Sequence, residues 1–114
     1  MSGVLSRLFK GGSGVSPQEA ASLMPEGVLM IDVREPGEWK AGHVAGSVNV
    51  PLGQLARRVG ELPPRAIVVC QSGARSARGA ALLRRASIDA MNLRGGMHAW
   101  AAAGLPVERG GKRR

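Results

Sequence analysis

Tyrosine is absent from this 114-residue chain, phenylalanine and cysteine occur once each, and only two tryptophans accompany them. An aromatic core is therefore excluded, and the interior has to be assembled from Val, Leu, Ile, Met and Ala. A single cysteine excludes an internal disulfide. It also leaves no second thiol to resolve an oxidised or sulfur-loaded one, so whatever Cys70 picks up must leave to an outside acceptor. No Cys/His spacing suits zinc, and nothing implies a metal or cofactor. No apolar run approaches the roughly 20 residues that cross a bilayer. The first ten residues, interrupted by Arg7, lack the apolar centre and cleavage pattern of a secretory signal, so a cytoplasmic location is expected. Acidic residues are scarce, 8 against 16 basic, of which 13 are arginines, for a net charge of +8. That excess suits an anionic substrate or partner and predicts non-specific nucleic-acid binding at low salt. With no basic stripe interleaved with aromatics, no specific nucleic-acid function is expected.

What is present reads as one domain, since the length allows a modest core and no second one. Residues 1–14, ending in Gly11-Gly12-Ser13-Gly14, read as a flexible leader, 15–107 as the domain and 108–114 as a disordered basic tail. Ser16-Pro17-Gln18-Glu19 is a helix start with a capping box and a proline in the first helical position. The helix runs to Met24 and ends at Pro25-Glu26-Gly27. Val28 to Asp32 is an apolar run of strand length, buried on both faces as in a parallel sheet. Pro36 opens a short helix through Trp39, broken at Gly42-His43. Ser47 to Val50 is a short strand, and Gln54 to Leu62 a helix stopped by Pro63-Pro64. Ala66 to Val69 is the central strand. The long helix after it, Ala74 to about Ala86, turns Ala77, Ala80, Ala81, Leu82 and Leu83 to the sheet and Arg78, Arg84 and Arg85 to water. Ala90 to Leu93 is a last short strand, Gly95-Gly96 a tight turn, and Met97 to Ala103 a final helix. Leu105 to Val107 is extended. Strands alternating with helices predict an α/β fold with a central parallel sheet and helices on both faces.

The chain is organised around Ala66 to Ser76: a β-branched strand, then Cys70, then a short loop, then a helix. In an open α/β sheet the carboxyl end of a strand is where ligands bind. The first N–H groups of the following helix lack intrahelical partners and carry the positive end of its dipole. Gly73 lets the backbone curl so that several N–H groups point inward as an anion nest. A thiol there ionises more readily than a free cysteine. Arg75 adds a cation beside the cradle, able to pair with a sulfonate or phosphate oxygen. The reading requires a thiol that solvent can reach and amides turned toward it; a buried, inert core cysteine is the alternative.

Other residues read as structural. Asp32 and Arg34 either brace the loop or form a local pair that fixes a strand end. Glu35 suits a helix N-terminus. Trp39 reads as a partly buried cap, Trp100 as core and His98 as a solvent-facing helix residue. Gly95-Gly96 serves a backbone turn, and Arg94 beside it reads as solvated.

Ile31-Asp32-Val33-Arg34-Glu35, Gly42-His43-Val44-Ala45-Gly46-Ser47-Val48-Asn49-Val50-Pro51, Cys70-Gln71-Ser72-Gly73-Ala74-Arg75-Ser76 and Leu93-Arg94-Gly95-Gly96-Met97-His98-Ala99-Trp100 occur in this order. Together they closely resemble the single-domain rhodanese family of sulfurtransferases, from about Val15 to Pro106. The resemblance implies a rhodanese-like α/β fold and a Cys70 that cycles between thiolate and persulfide. A donor such as thiosulfate would give up its outer sulfur, and cyanide or a thiol would take it. Gln71, Ser72, Gly73, Ala74, Arg75 and Ser76 would bind the persulfide and departing sulfite, with Arg75 on the donor's anionic oxygens and Asp32 and Arg34 in support. His43 would fix its turn. The related phosphatases and arsenate reductases of this fold use a loop one residue longer, and no aspartic general acid lies near this one, so sulfur is favoured over phosphoryl transfer. A persulfide carrier or binding module acting with a protein partner is the competing function.

Overall fold

The computed structural model describes residues 14–111. The leader expected before Gly14 and the last three residues of the basic tail lie outside the described residues.

Four parallel strands form the sheet in the order β3–β1–β4–β5, with β1 at Leu29–Asp32, β3 at Val48–Asn49, β4 at Arg65–Val69 and β5 at Asp89–Asn92. β4 lies between β1 and β5, with Ile31 opposite Val68 and Ile67 opposite Met91. Alternate residues point to opposite faces, which divides the interior in two. Met30, Ile67, Val69 and Met91 face one cluster with Leu23 and Trp100. Ile31, Ala66, Val68 and Cys70 face the other with Ala80 and Leu83. Parity along β4 thus sends Cys70 to the same side as the helix that follows it.

The first helix, α1 at Pro17–Leu23, starts as the capping box requires: Glu19 N–H donates to Ser16 Oγ (3.1 Å) and Ser16 N–H to Glu19 Oε1 (2.8 Å). α1 and α5 (Gly96–Ala102) cover the first face; α3 (Leu52–Leu55) and α4 (Ala74–Arg85) cover the second. Of the segment expected as one helix from Gln54 to Leu62, Leu52–Leu55 is α-helical and Ala56–Glu61 is 3₁₀.

Two expectations are corrected. Ala77 is exposed, while Ser76 and Gly79 join Ala80 and Leu83 on the buried face of α4. Gly79 leaves no spare room: a Cβ there would meet Val68 Cγ1 on the sheet and Leu55 Cδ2 on α3, both at 3.3 Å. Trp39 in α2 (Pro36–Ala41) is buried rather than a half-open cap; its ring stacks on His43 at 3.7 Å between centroids, and its Nε1–H donates to Ser47 Oγ (3.1 Å). The stretch after Pro106 forms β6 (Val107–Glu108), which pairs antiparallel with β2 (His43–Val44). His43 Nδ1 bonds Trp39 O (2.7 Å), which fixes the turn as expected.

No helix among the described residues is long and apolar enough to cross a membrane.

Candidate active site at the end of strand β4

Cys70 is the first residue beyond β4, and α4 begins four residues later with Gly73 as its N-cap. Gly73 has φ +117°, a left-handed conformation that side chains other than glycine rarely adopt. This bend turns the Gly73 N–H back onto Cys70 Sγ (3.1 Å). The Ser76 hydroxyl also reaches the sulfur, at 3.3 Å. Burial pushes the Cys70 thiol up, but the Ser76 hydroxyl and the N–H groups of Ser76, Gly73 and Ser72 outweigh it, and the net shift is downward. Donors aimed at the sulfur favour its charged form.

The carbonyls of the loop are held from behind. The first N–H groups of α5 take them: Met97 N–H donates to Cys70 O (2.8 Å) and His98 N–H to Gln71 O (3.2 Å). One helix start faces the loop's carbonyls while the other faces its sulfur. Both sets of otherwise unpaired donors are thereby used.

Half of the stated requirement holds. The amides turn toward the sulfur, but Cys70 exposes only 1% of its surface. The thiol lies on the floor of the loop, beneath the exposed Ser72 and the half-buried Gln71 and Gly73. The expectation of an open thiol is corrected accordingly.

Asp32 and Arg34 form the local pair and also brace the loop. The Arg34 guanidinium is bound through Nε and Nη2 to Asp32, with Nη2–Oδ2 at 2.8 Å. It also donates from Nη1 to Gln71 Oε1 (3.1 Å) and from Nη2 to Gly42 O (2.7 Å). Both charges are almost fully buried, at 0% and 4% exposure, and each is satisfied. Such a pair positions its neighbours more than it stabilises the fold. Gln71 therefore has its side-chain oxygen and its carbonyl engaged. Ala74 opens α4 with an exposed methyl.

Arg75 is not directed into the cradle. Its Nη1 and Nη2 donate to Glu38 Oε1 (2.8 Å) and Oε2 (3.0 Å) on α2. The Arg75 guanidinium holds the Glu38 carboxyl down at about 2, helped by the Glu35 N–H and opposed by partial burial. The guanidinium expected on a donor's oxygens is thus already engaged by a carboxylate. Arg94 is likewise committed, to the Gly14 carbonyl and near Glu19 (3.8 Å), away from the loop. His98 is exposed, as expected.

Two residues at the site had no signal in the sequence. Glu38 is one, since nothing local pairs it with Arg75. Asn92 at the end of β5 is the other: its Oδ1 accepts from the Ser76 hydroxyl. That single hydroxyl proton faces three acceptors, Cys70 Sγ, Gly73 O and Asn92 Oδ1. When the proton is turned to the sulfur it favours the thiolate. A Ser76→Ala protein should therefore titrate Cys70 at higher pH. Alkylation rates with iodoacetamide across pH would show the midpoint rising; an unmoved midpoint would assign the hydroxyl to packing alone.

A concavity of about 330 Å³ opens beside the loop, lined by Gln71, Arg34, Met97, Ala101, Val107 and Arg109 among others. A larger hollow of about 540 Å³ lies over Trp39, His43 and Glu108 to Gly111 and touches no residue of the loop.

The chain is similar to several known proteins. Residues 16–103 match the family described as the rhodanese-like domain. The chain is 36% identical over 85 residues to a sulfurtransferase of Allochromatium vinosum, covering 72% of this chain and 79% of the other. It is 34% identical over 112 residues to the chloroplastic thiosulfate sulfurtransferase 16 of Arabidopsis thaliana, covering 84% and 92%. Among solved structures, a thiosulfate sulfurtransferase from Pseudomonas aeruginosa superposes with a TM-score of 0.82 at 30% identity, over 96% of this chain but only 22% of that longer one.

Proposed function

Because the chain belongs to the rhodanese-like domain family, among sulfurtransferases, we propose that it moves a sulfane sulfur from a donor such as thiosulfate to cyanide or a thiol through a persulfide on Cys70. The observation that carries this reading is the convergence of N–H and hydroxyl donors on the one sulfur, with Gly73 N–H at 3.1 Å and Ser76 Oγ at 3.3 Å. A thiolate held this way is a ready nucleophile at neutral pH. It attacks the outer sulfur of thiosulfate. A sulfur–sulfur bond forms to Cys70, the bond to the sulfonate breaks, and its electron pair leaves with sulfite. The terminal persulfide sulfur then carries the negative charge, and the same amides stabilise it. An acceptor thiolate attacks that sulfur, and Cys70 returns as thiolate. No other thiol exists in the chain to intercept it.

The Arg34–Gln71 contact keeps the loop in this form, and the start of α5 keeps its carbonyls turned away from the sulfur. Phosphoryl transfer is disfavoured by the short loop, in which four residues separate Cys70 from Arg75.

A carrier reading, in which the persulfide is handed to a protein partner, is favoured by one observation. Cys70 is 1% exposed, and a concavity rimmed by Met97, Ala101 and Val107 lies beside it. Intact-mass measurement after thiosulfate separates the outcomes. One added sulfur that cyanide removes with turnover is expected of the enzyme; loading without turnover until a partner is supplied would indicate the carrier. A protein that gains no sulfur from any donor, and whose thiol resists iodoacetamide in the native state, is neither.

A further inference from the structure

Resting on the sulfurtransferase reading, we infer that Glu38 competes with the substrate for Arg75, so that the site favours sulfur donors whose departing group carries no anionic oxygens over sulfonate-bearing donors such as thiosulfate.

Arg75 is the only cation in the loop from Cys70 to Ser76. Its two terminal nitrogens are matched to the two oxygens of Glu38 at 2.8 and 3.0 Å. This paired geometry is the one in which a guanidinium would grip a sulfonate. Glu38 does not wander to this place. It lies in the first turn of α2, and the Glu35 N–H also donates to its Oε1 (2.9 Å). The pair stands at the rim, with side chains 38% and 37% exposed, so an incoming anion can reach it.

The other charged groups around the sulfur do not replace the lost cation. At the end of β1, Arg34 is closed on Asp32. On α5, His98 is exposed and its backbone N–H serves Gln71 O. Arg109 lines the adjoining concavity with Arg34 and Glu38. The two closed pairs, Arg34–Asp32 and Arg75–Glu38, cancel, and Arg109 stands out on the concavity instead of among the donors at the sulfur. What remains at the sulfur is a set of neutral donors from Ser72, Gly73 and Ser76.

Thiosulfate brings two negative charges, which depart on sulfite. To reach Arg75 it must displace Glu38, leaving that carboxylate unpaired beside a second anion. Otherwise it binds the neutral amides with Glu38 nearby. Both routes weaken anionic donors. A hydropersulfide R–S–SH with an uncharged R brings no anionic oxygens to Arg75 and so does not compete with Glu38 for it. The Cys70 thiolate attacks its outer sulfur, the inner S–S bond breaks, and RS⁻ leaves with the electron pair, giving Cys70–S–SH.

The test is Glu38→Gln, which keeps an acceptor for the Glu35 N–H but removes the charge. Its kcat/KM for thiosulfate should rise about 2- to 5-fold through KM, the scale of a half-exposed ion pair. Its kcat/KM for the hydropersulfide of 2-mercaptoethanol should change by less than about twofold. Calorimetric titration with sulfite gives a readout independent of turnover, and tighter binding by the variant is expected there. Equal sulfite binding, a fall in thiosulfate efficiency, or an equal change for both donors would overturn the inference, because each would make Glu38 a support for Arg75. Should Glu38→Gln fold poorly, Glu38→Ala is expected to shift the same quantities in the same direction. Failure of the sulfurtransferase reading looks different: the wild-type protein would then accept sulfur from neither donor.

Discussion

A Cys70→Ser protein is expected to fold and to lose sulfur transfer by on the order of 10⁴-fold or more, the scale on which removal of a covalent nucleophile acts. The serine oxygen would take the place of Sγ beneath the loop and accept from the Gly73 N–H, so the amides keep an acceptor and the helix start keeps its partner. A serine hydroxyl there cannot accept sulfane sulfur and hold it as a labile persulfide. With a single cysteine in the chain, no neighbouring thiol rescues the variant. Thiosulfate:cyanide turnover together with intact mass is the measurement. Turnover equal to wild type in a protein that has lost its only thiol would remove the mechanism altogether. The pH dependence of the wild type follows from the downward shift of the Cys70 thiol. Reaction with iodoacetamide should already be near its plateau at pH values where an ordinary cysteine, with a pKa of about 8.5, is still mostly protonated. It should fall as the pH drops through the lowered value and the thiolate takes a proton.

A Gly96→Ala substitution is expected to cost about 3 kcal/mol or more, which for a domain of this size lowers the melting temperature by on the order of 10–20 °C. Two effects add. Gly96 has φ +55°, where a side chain is strained. A Cβ at this position would also lie against backbone and not against movable side chains, 2.7 Å from the carbonyl carbon of Gln71 and against the Cys70 carbonyl oxygen. Backbone cannot step aside without breaking the bonds from Met97 N–H and His98 N–H that hold the same two carbonyls. Activity should therefore fall by more than the folded fraction explains, because the loop is pushed forward as α5 is pushed back. Calorimetry with kinetics on the remaining folded protein checks both parts. A variant with unchanged melting temperature would show that the approach of α5 to the loop is looser than described. Gly27 offers the control: it also has positive φ, but a Cβ there meets nothing within 4 Å, so its alanine variant should lose only the conformational part.

The strand, loop and helix around Cys70 were legible because each signal is local. β-branched residues from Ile67 to Val69 specify a buried strand, and Gly73 supplies the left-handed bend on which the nest depends. Ser16 and Glu19 cap their helix three residues apart. Asp32–Arg34 as a strand-end pair was legible for the same reason, since the partners lie two residues apart, whereas the turn-fixing role of His43 came from the family resemblance. The limits were equally physical. Ala77 reads as sheet-facing because it is apolar, but α4 is turned so that Gly79 lies against Val68 and Leu55, with Ser76 inside and Ala77 outside.

By itself the sequence determined the α/β alternation, the parallel sheet and the single thiol at a strand's end, because hydrophobic period, caps and turn glycines act over three to seven residues, while the family was legible only as a resemblance of four ordered motifs. Tertiary structure alone decided what surrounds the loop that holds that thiol. Arg75 and Glu38 are 37 positions apart, Ser76 and Asn92 are 16 apart, and Gly96 reaches the Cys70 carbonyl from another helix. Each of these is a choice of partner among groups of the same chemistry. An arginine reads alike in sequence whether it ends on a carboxylate of its own chain or on a substrate's oxygen, and only the closing of α2 over α4 puts Glu38 in that place first.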